Sequence, residues 1–441
     1  MQTIAATATS LPEADVLETT YSRIFWRLIP FLMVLFTISW IDRVNVGFAK
    51  LQMLSDLGFS EAVYGLGAGI FFLGYFFFEV PSNLLMTRIG ARKTIARITI
   101  CWGITSMVMM FVKTPVVFYC LRFLLGVFEA GFYPGVILFL TYWFPTGRRA
   151  KAFGFFMSAS ALAGVIGGPL AGSIMGGLDG ASGLAGWQWV FLIEGLPSVI
   201  AGIVTLFYLT DRPAMATWLT SGQIAAVEAD LERDKASLGE REHNFWASLR
   251  SKPIWQFTAI FFCIILANSA LTFWGPTVAH EAGFSSPASV GWLMSAIYVA
   301  GAAGMILNGS SSDRAREARF HCGVAACVGG LAMVLLGIIG PTHAVPALLC
   351  LMVAVVGTMS AIPVFWQMPN TAFAGTAAAA AIAMINSFAN LAGFAAPWLI
   401  GVIKEATGVT SLGFGLVGMM EMCTLGLILL FVTNPITKHP E

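Results

Sequence analysis

The chain has 441 residues, of which 57% belong to the AVILMFWYC set and only 11% are charged, and its mean hydropathy is +0.80. Soluble domains carry about 25% Asp, Glu, Lys and Arg, so there is too little charge here to clothe a water-facing surface, and the composition defines an integral membrane protein. A formal charge of +1, from 24 basic and 23 acidic residues, excludes a global attraction to nucleic acid.

Glu13, Asp15 and Glu18 precede the first apolar segment, which begins near Trp26. No basic region leads into it, so a cleaved signal peptide is not expected and the first span stays in the membrane. A spanning helix takes about 20 apolar residues. Runs of this kind, bounded by charges, Gly or Pro, fall at 27–47, 63–86, 94–112, 116–142, 152–177, 188–210, 254–279, 289–310, 320–340, 345–368, 377–403 and 412–433. The pattern predicts an all-α membrane protein of twelve transmembrane helices with both termini on one side.

The basic residues say which side. With the N-terminus inside, the inner connections and adjoining span ends hold Arg23, Arg27, Arg88, Arg92, Lys93, Arg97, Arg148, Arg149, Lys151, Arg314, Arg316, Arg319, Lys438 and every basic residue of 211–252. Lys50, Lys113 and Lys404 fall outside, and Arg43 and Arg122 lie within spans. The positive-inside rule therefore places both termini in the cytoplasm. The expected organisation is a cytoplasmic tail (1–25), a six-helix half (26–210), a cytoplasmic linker (211–252), a second six-helix half (253–434) and a second tail (435–441).

In the linker, Asp211-Arg212-Pro213 ends span 6 and a short amphipathic helix is expected from Thr220. Thr220 and Gln223 form a capping-box pattern, Ile224, Val227 and Leu231 share a stripe, and Gly239 is a stop signal. Its six basic and seven acidic residues nearly cancel, which suits a solvated helix lying along the cytoplasmic face.

A basic turn recurs at the same place in each half: Thr87-Arg88-Ile89-Gly90-Ala91-Arg92-Lys93 after span 2, and Gly309-Ser310-Ser311-Ser312-Asp313-Arg314 after span 8. A six-plus-six arrangement with these paired turns resembles the major facilitator superfamily of secondary transporters. The second turn fits the superfamily's Gly-x-x-x-Asp-Arg pattern; the first has Asn83 and Thr87 where Gly and Asp would stand. The resemblance implies a major facilitator fold and a cytoplasmic gate at Arg88, Arg92, Asp313 and Arg314. Gly164, Gly167, Gly168, Pro169 and Gly172 in span 5 resemble the superfamily's Gly-Pro motif and predict close packing or bending, and the run Ala377–Ala381 in span 11 predicts tight packing.

Charged side chains inside a bilayer are costly and mark ion or substrate pathways. Here they are Asp42, Arg43, Glu79, Arg122, Glu129, Glu194 and Glu421. Asp42 and Arg43 sit about 8 Å beyond the middle of span 1 at 1.5 Å per residue, and Arg122 falls at a similar depth in span 4. Arg122 and Glu129, seven residues apart, share a helix face about 10 Å apart along the axis. A guanidinium binds a carboxylate bidentately and cannot be discharged, whereas a carboxylate in a low-dielectric cavity is able to take up and release a proton. Static ion pairs holding helices together are the other reading of these four groups, and structural or gate roles are expected for Glu79, Glu194 and Glu421.

Ile41-Asp42-Arg43-Val44-Asn45-Val46-Gly47-Phe48-Ala49 and the stretch from Arg122 to Gly135, RFLLGVFEAGFYPG, look like signatures of the anion:cation symporter family within the superfamily. The stretches 187–197, WQWVFLIEGLP, and 386–394, NSFANLAGF, fit as well, and the resemblance runs from about residue 21 to 433. It implies that Arg43 and Arg122 bind an organic anion while Asp42 and Glu129 take the coupling protons. It also implies, as substrate, a sugar acid, a hydroxy-dicarboxylate such as tartrate, or an aromatic carboxylate such as phthalate. Tyr75 is a further candidate contact, or a packing residue. Asn386 and Asn390, one turn apart, suit a carboxylate or an interhelical bond, and Trp366 suits a cavity wall or an interfacial anchor.

No phosphate-loop motif, metal-ligand spacing or nucleophile-and-base set is present, so no cofactor, metal or enzymatic activity is expected. The histidines His243, His280, His321, His343 and His439 avoid span centres, Asn308-Gly309-Ser310 faces the cytoplasm, and Cys101, Cys120, Cys263, Cys322, Cys327, Cys350 and Cys423, without a CxxC pair, read as small core residues. The expectation is a monomeric, proton-coupled importer of a small organic anion in a bacterial inner membrane. A sodium-coupled transporter and an anion sensor that moves nothing are the alternatives.

Overall fold

The computed structural model of the chain describes residues 11–238, 251–341, 343–373 and 376–432. Among these are 12 helices long and apolar enough to cross a membrane. Spans 1 to 6 are Val16–Leu57, Glu61–Ile89, Ala91–Phe111, Pro115–Trp143, Thr146–Leu178 and Gly186–Tyr208. Spans 7 to 12 are Lys252–Glu281, Pro287–Ala315, Arg319–Ile339, Ala344–Ala372, Ala381–Thr407 and Thr410–Phe431. Below, the near end of the bundle is where span 1 begins, and the far end is where it finishes.

Many helices run past the apolar stretch that announces them. The first continues from Leu11 to Leu57, because hydropathy marks only the membrane-buried part while the backbone ladder continues through the polar turns on either side. Side-chain caps fix several ends at the far face. Ser60, Thr114 and Ser286 accept the backbone N–H groups of Val63, Val117 and Ser289, and Pro115 and Pro287 occupy the first turns that follow.

Two spans are broken near their middles. Span 4 consists of Pro115–Glu129 and Phe132–Trp143, separated by extended Ala130 and by Gly131 at φ 86°. Glycine alone suits this hinge, since a Cβ there would lie 2.5 Å from Ser82 Oγ. Span 11 breaks between Ala389 and Ala392, where Gly393 N–H bonds to the Asn390 carbonyl.

Each half is a bundle of its own, and the halves meet where small residues let backbones touch. Span 5 lies on span 8 at Gly168 and Gly172, whose added Cβ atoms would fall 2.6 Å from Gly291 O and 2.4 Å from Pro287 O. Span 2 lies on span 11 in the same way, with Gly65 against Pro397 and Gly401, and Gly69 against Phe394. These contacts crowd toward the far end.

The linker helix spans Ser221–Leu238. Its capping box is complete: Thr220 N–H donates to Gln223 Oε1 (3.1 Å) and Gln223 N–H to Thr220 Oγ1 (3.3 Å). Val227 is fully buried with Ile224 and Leu231 beside it. Tyr21 and Thr146 bond to Asp230 and Asp234, so the linker is fastened to the near end of the first half. The stop at Gly239, together with His243, Lys438 and His439 and the side chains of Ala377–Ala380, lies outside the described residues.

The seven cysteines are free, but only Cys263 and Cys322 are buried; Cys120 and Cys423 are exposed on spans 4 and 12. The expectation of core cysteines fails for these two because a helix that faces lipid takes small apolar side chains on its outer surface as readily as inside. Asn308 is half-buried, its amide donating to the carbonyls of His321 and Ser360.

Candidate substrate and proton site

Span 1 brings Ser39, Asp42 and Arg43 onto one broad face, and the break in span 4 leaves Glu129 as the last residue of its first segment. Arg43 forms an ion pair with Glu129, its Nε 3.2 Å from Oε1 and its Nη2 donating to the same oxygen. Ser39 Oγ donates to that oxygen at 2.7 Å. The other oxygen, Oε2, is buried without a partner. Glu129 is 1% exposed, whereas the Arg43 side chain is 14% exposed and is the accessible member of the pair.

Aromatic rings wall the arginines. The Arg43 guanidinium lies 4.9 Å from the Trp40 ring, 5.1 Å from Phe71 and 5.4 Å from Tyr75. Arg122 approaches the same Phe71 ring at 5.3 Å, so the two cations share one ring quadrupole.

Arg122 is fully buried. Its Nε and Nη2 donate to the carbonyls of Gly67 and Ala68 on span 2, at 3.2 and 3.3 Å, and Nη1 has no partner. The seven-residue spacing put Glu129 on the Arg122 face of span 4, about 10 Å along the axis. Instead Glu129 is committed to Arg43, and Arg122 is held by backbone oxygens. Close packing of spans 2 and 4 makes this reach possible: a Cβ on Gly126 would fall 2.0 Å from Phe71 O, and one on Gly74 would fall 2.4 Å from Phe123 O.

Asp42 is turned away from both arginines into the interior of the first half. It accepts from Trp102 Nε1 (3.1 Å), Ser106 Oγ (2.8 Å) and Ser198 Oγ (2.5 Å), on spans 3 and 6. Those three donors escaped the sequence reading, as did Ser39, because hydroxyl and indole groups are ordinary in spans.

On the second half, Trp366 is half-buried and packs edge-on against Phe261 and Phe365. Asn386 and Asn390 are half-buried on either side of Phe388, at the end of the first segment of span 11. One residue from Asn386, Ser387 Oγ donates to Glu79 Oε2 across the halves at 2.9 Å. Glu421 is sealed inside the second half, with Thr358 donating to it at 2.7 Å.

The paired basic turns do not meet. Arg92 N–H donates to Asp211 at 2.7 Å, Gln367 donates to Asp313 at 2.9 Å, and Arg88 and Arg314 are exposed. The first turn is tied to the start of the linker and the second within its own half. Ion pairs join the halves at the opposite, far end, in a cluster absent from the sequence reading. Lys50 binds Glu61 at 2.8 Å, while Lys404 reaches Glu61 at 2.6 Å and Glu281 at 2.9 Å. Lys50 also donates to Thr277 and lies 3.4 Å from the centre of the Trp274 ring. Its sequence signal was the coincidence of outlying lysines, Lys50 and Lys404, with acidic residues at span ends.

Two six-span halves around buried, unevenly paired charges, shut at one end, have the architecture of a polytopic membrane transporter. The chain belongs to the Major Facilitator Superfamily, whose family model matches residues 32–397. It is 45% identical over 88% of its length to a putative metabolite transport protein, NicT, of Pseudomonas putida, covering 89% of that protein. To a putative tartrate transporter of Agrobacterium vitis it is 43% identical, covering 94% of this chain and 95% of the relative. Its fold matches the crystal structure of a D-xylose-proton symporter with a TM-score of 0.74 at 13% identity, over 93% of this chain and 98% of that one.

Proposed function

We propose that the protein is a proton-coupled importer of a small organic anion, working as a monomer in a bacterial inner membrane with the near end and both termini in the cytoplasm. The observation that carries this reading is the Arg43–Glu129 pair beside the ring shared with Arg122. A substrate carboxylate and the Glu129 carboxylate compete for one guanidinium. Protonating Glu129 removes its charge and frees Arg43, and a substrate carboxylate bound there restores the site's original total charge. Anion and proton therefore favour each other's binding, which is the linkage a symporter requires. In the conformation described, the pair is closed and the far end is sealed, which suits the empty carrier with Glu129 deprotonated after release to the cytoplasm.

The substrate class is a sugar acid, a hydroxy-dicarboxylate or an aromatic carboxylate. The relative named for tartrate supports the second, and the rings of Trp40, Phe71 and Tyr75 suit the third. Arg43, Arg122 and Tyr75 form the wall contributed by the first half, and Asn386, Asn390 and Trp366 the facing wall. Asp42 and Glu129 carry protons. Arg88, Arg92, Asp313 and Arg314 close the cytoplasmic end when the far end opens.

Proteoliposomes loaded at neutral pH and diluted into acidic, sodium-free buffer test this with labelled tartrate and phthalate. Accumulation of at least one acid above its equilibrium level, abolished by a protonophore, is expected. Uptake that appears only with sodium overturns the coupling, and saturable binding of both without uptake overturns transport.

A further inference from the structure

Glu194, in span 6, belongs to no ion pair among the described residues, and both its carboxyl oxygens are buried. It is 2% exposed. Spans 1 and 6 run antiparallel, and Ser198 of span 6 touches Asp42 of span 1. One turn along span 6 toward the far end is Glu194, and three residues along span 1 in the same direction is Asn45, so the two form the next rung. Asn45 is likewise buried, and its side-chain amide is the polar group beside the Glu194 carboxyl, with Asp42 on the adjoining rung.

The surroundings supply no positive charge. Span 3 presents Trp102, Gly103, Ser106 and Met107 to this region, span 5 has no charged residue between 159 and 178, and the turn Met109–Phe111 has none. Span 1 contributes Asp42 itself; its neighbour Arg43 is engaged with Glu129.

Two carboxyl groups in a dry, cation-free interior cannot both be ionised. Their hydrogen bonds tell them apart. Asp42 accepts three donors, as a carboxylate does, whereas the Glu194 carboxyl group has only the Asn45 amide beside it, which can serve a neutral acid. We propose that Asp42 and Glu194 form a dyad that stores one proton inside the first half, with Glu194 the neutral member, and that Glu194 is thereby a further coupling residue. This deepens the proton-coupled reading and rests on it. A proton that Glu194 gives up is taken by Asp42, the other member, so that the dyad keeps one net charge until a proton enters or leaves it.

Infrared difference spectroscopy of the full-length protein in lipid nanodiscs tests the dyad without any substrate. Wild type minus Glu194→Gln at neutral pH should show the C=O band of one protonated carboxyl group; a carboxylate band in its place overturns the proposal. In proteoliposomes, Glu194→Gln should keep tartrate exchange at half the wild-type rate or more, yet accumulate tartrate less than one-tenth as far under an acid gradient. Glu194→Asp should restore accumulation. Accumulation by Glu194→Gln equal to wild type overturns its coupling role. Should the wild type itself fail to accumulate tartrate, the proposed function is at fault, and the infrared result still judges the dyad on its own. If Glu194→Gln does not fold, the same spectrum taken as wild type minus Glu194→Asp should still show a shifted carboxyl band, and its absence overturns the proposal.

Discussion

Arg43 and Arg122 carry the same charge but answer to different partners. Arg43 offers a charge that is exchangeable, since a carboxylate already occupies it. Arg122 offers a charge that is fixed, because backbone carbonyls neither titrate nor leave. Only the first can tie a proton to an anion. Replacing Glu129 by Gln should therefore leave Arg43 permanently free: exchange of labelled for unlabelled acid continues, while accumulation under an acid gradient falls to about the equilibrium level. Undiminished accumulation by this variant would remove Glu129 from coupling. That Asp42, Arg43, Arg122 and Glu129 stand apart was legible in the sequence because a charge within a span demands a reason; which arginine Glu129 takes was not, since the spacing set it on the Arg122 face and the fold gives it to Arg43. The environment of Asp42 was not, because Trp102, Ser106 and Ser198 arrive from spans 60, 64 and 156 residues away and carry no pattern of their own.

At the level of the helices, the twelve spans and the capped linker helix could be read from hydropathy and from Thr220 and Gln223. The break in span 4 could not, since Ala130-Gly131 sits in an unbroken apolar run whose hinge depends on what packs against it, here Ser82. The charges of the far-end cluster were visible, but charges at span ends are ordinary, and their meeting is a property of four helices at once. The same dependence on neighbours governs Arg122, which reaches span 2 only because Gly126 admits the backbone of Phe71. Gly126→Ala should push the two helices apart, lowering stability by about 1–3 kcal/mol and weakening anion binding with it. Thermal unfolding in detergent and titration with tartrate would measure both, and a variant with wild-type values in each would show that this contact does not position Arg122.

Across the whole molecule, the two ends are held by different means. The far end is fastened by Lys50, Glu61, Glu281 and Lys404, whereas among the described residues the near-end turns bind to Asp211 of the linker and to Gln367 rather than to each other. Lys404 contacts both acids and joins the halves directly to Glu61, so Lys404→Met should favour opening of the far end. Spin labels at the exposed residues Ser182 and Ser285, one on each half, would report this as a longer-distance population several-fold larger than in the wild type. An unchanged distance distribution would mean that the cluster does not hold the end shut.

The glycine contacts between the halves bear on how such a change is made. Where Gly168 meets Gly291 and Gly65 meets Gly401, the facing surfaces are nearly smooth. Meshed leucines would have to be lifted out of one another's grooves before either half could tilt, and that unmeshing would add to the barrier on every cycle. Backbone on backbone behaves like a plain bearing: it carries load when the end is shut and offers little resistance to rolling. The latch and the bearing are thus separate parts: weakening the ion pairs should change which end rests open, and adding side chains at these glycines should slow the switching between the two.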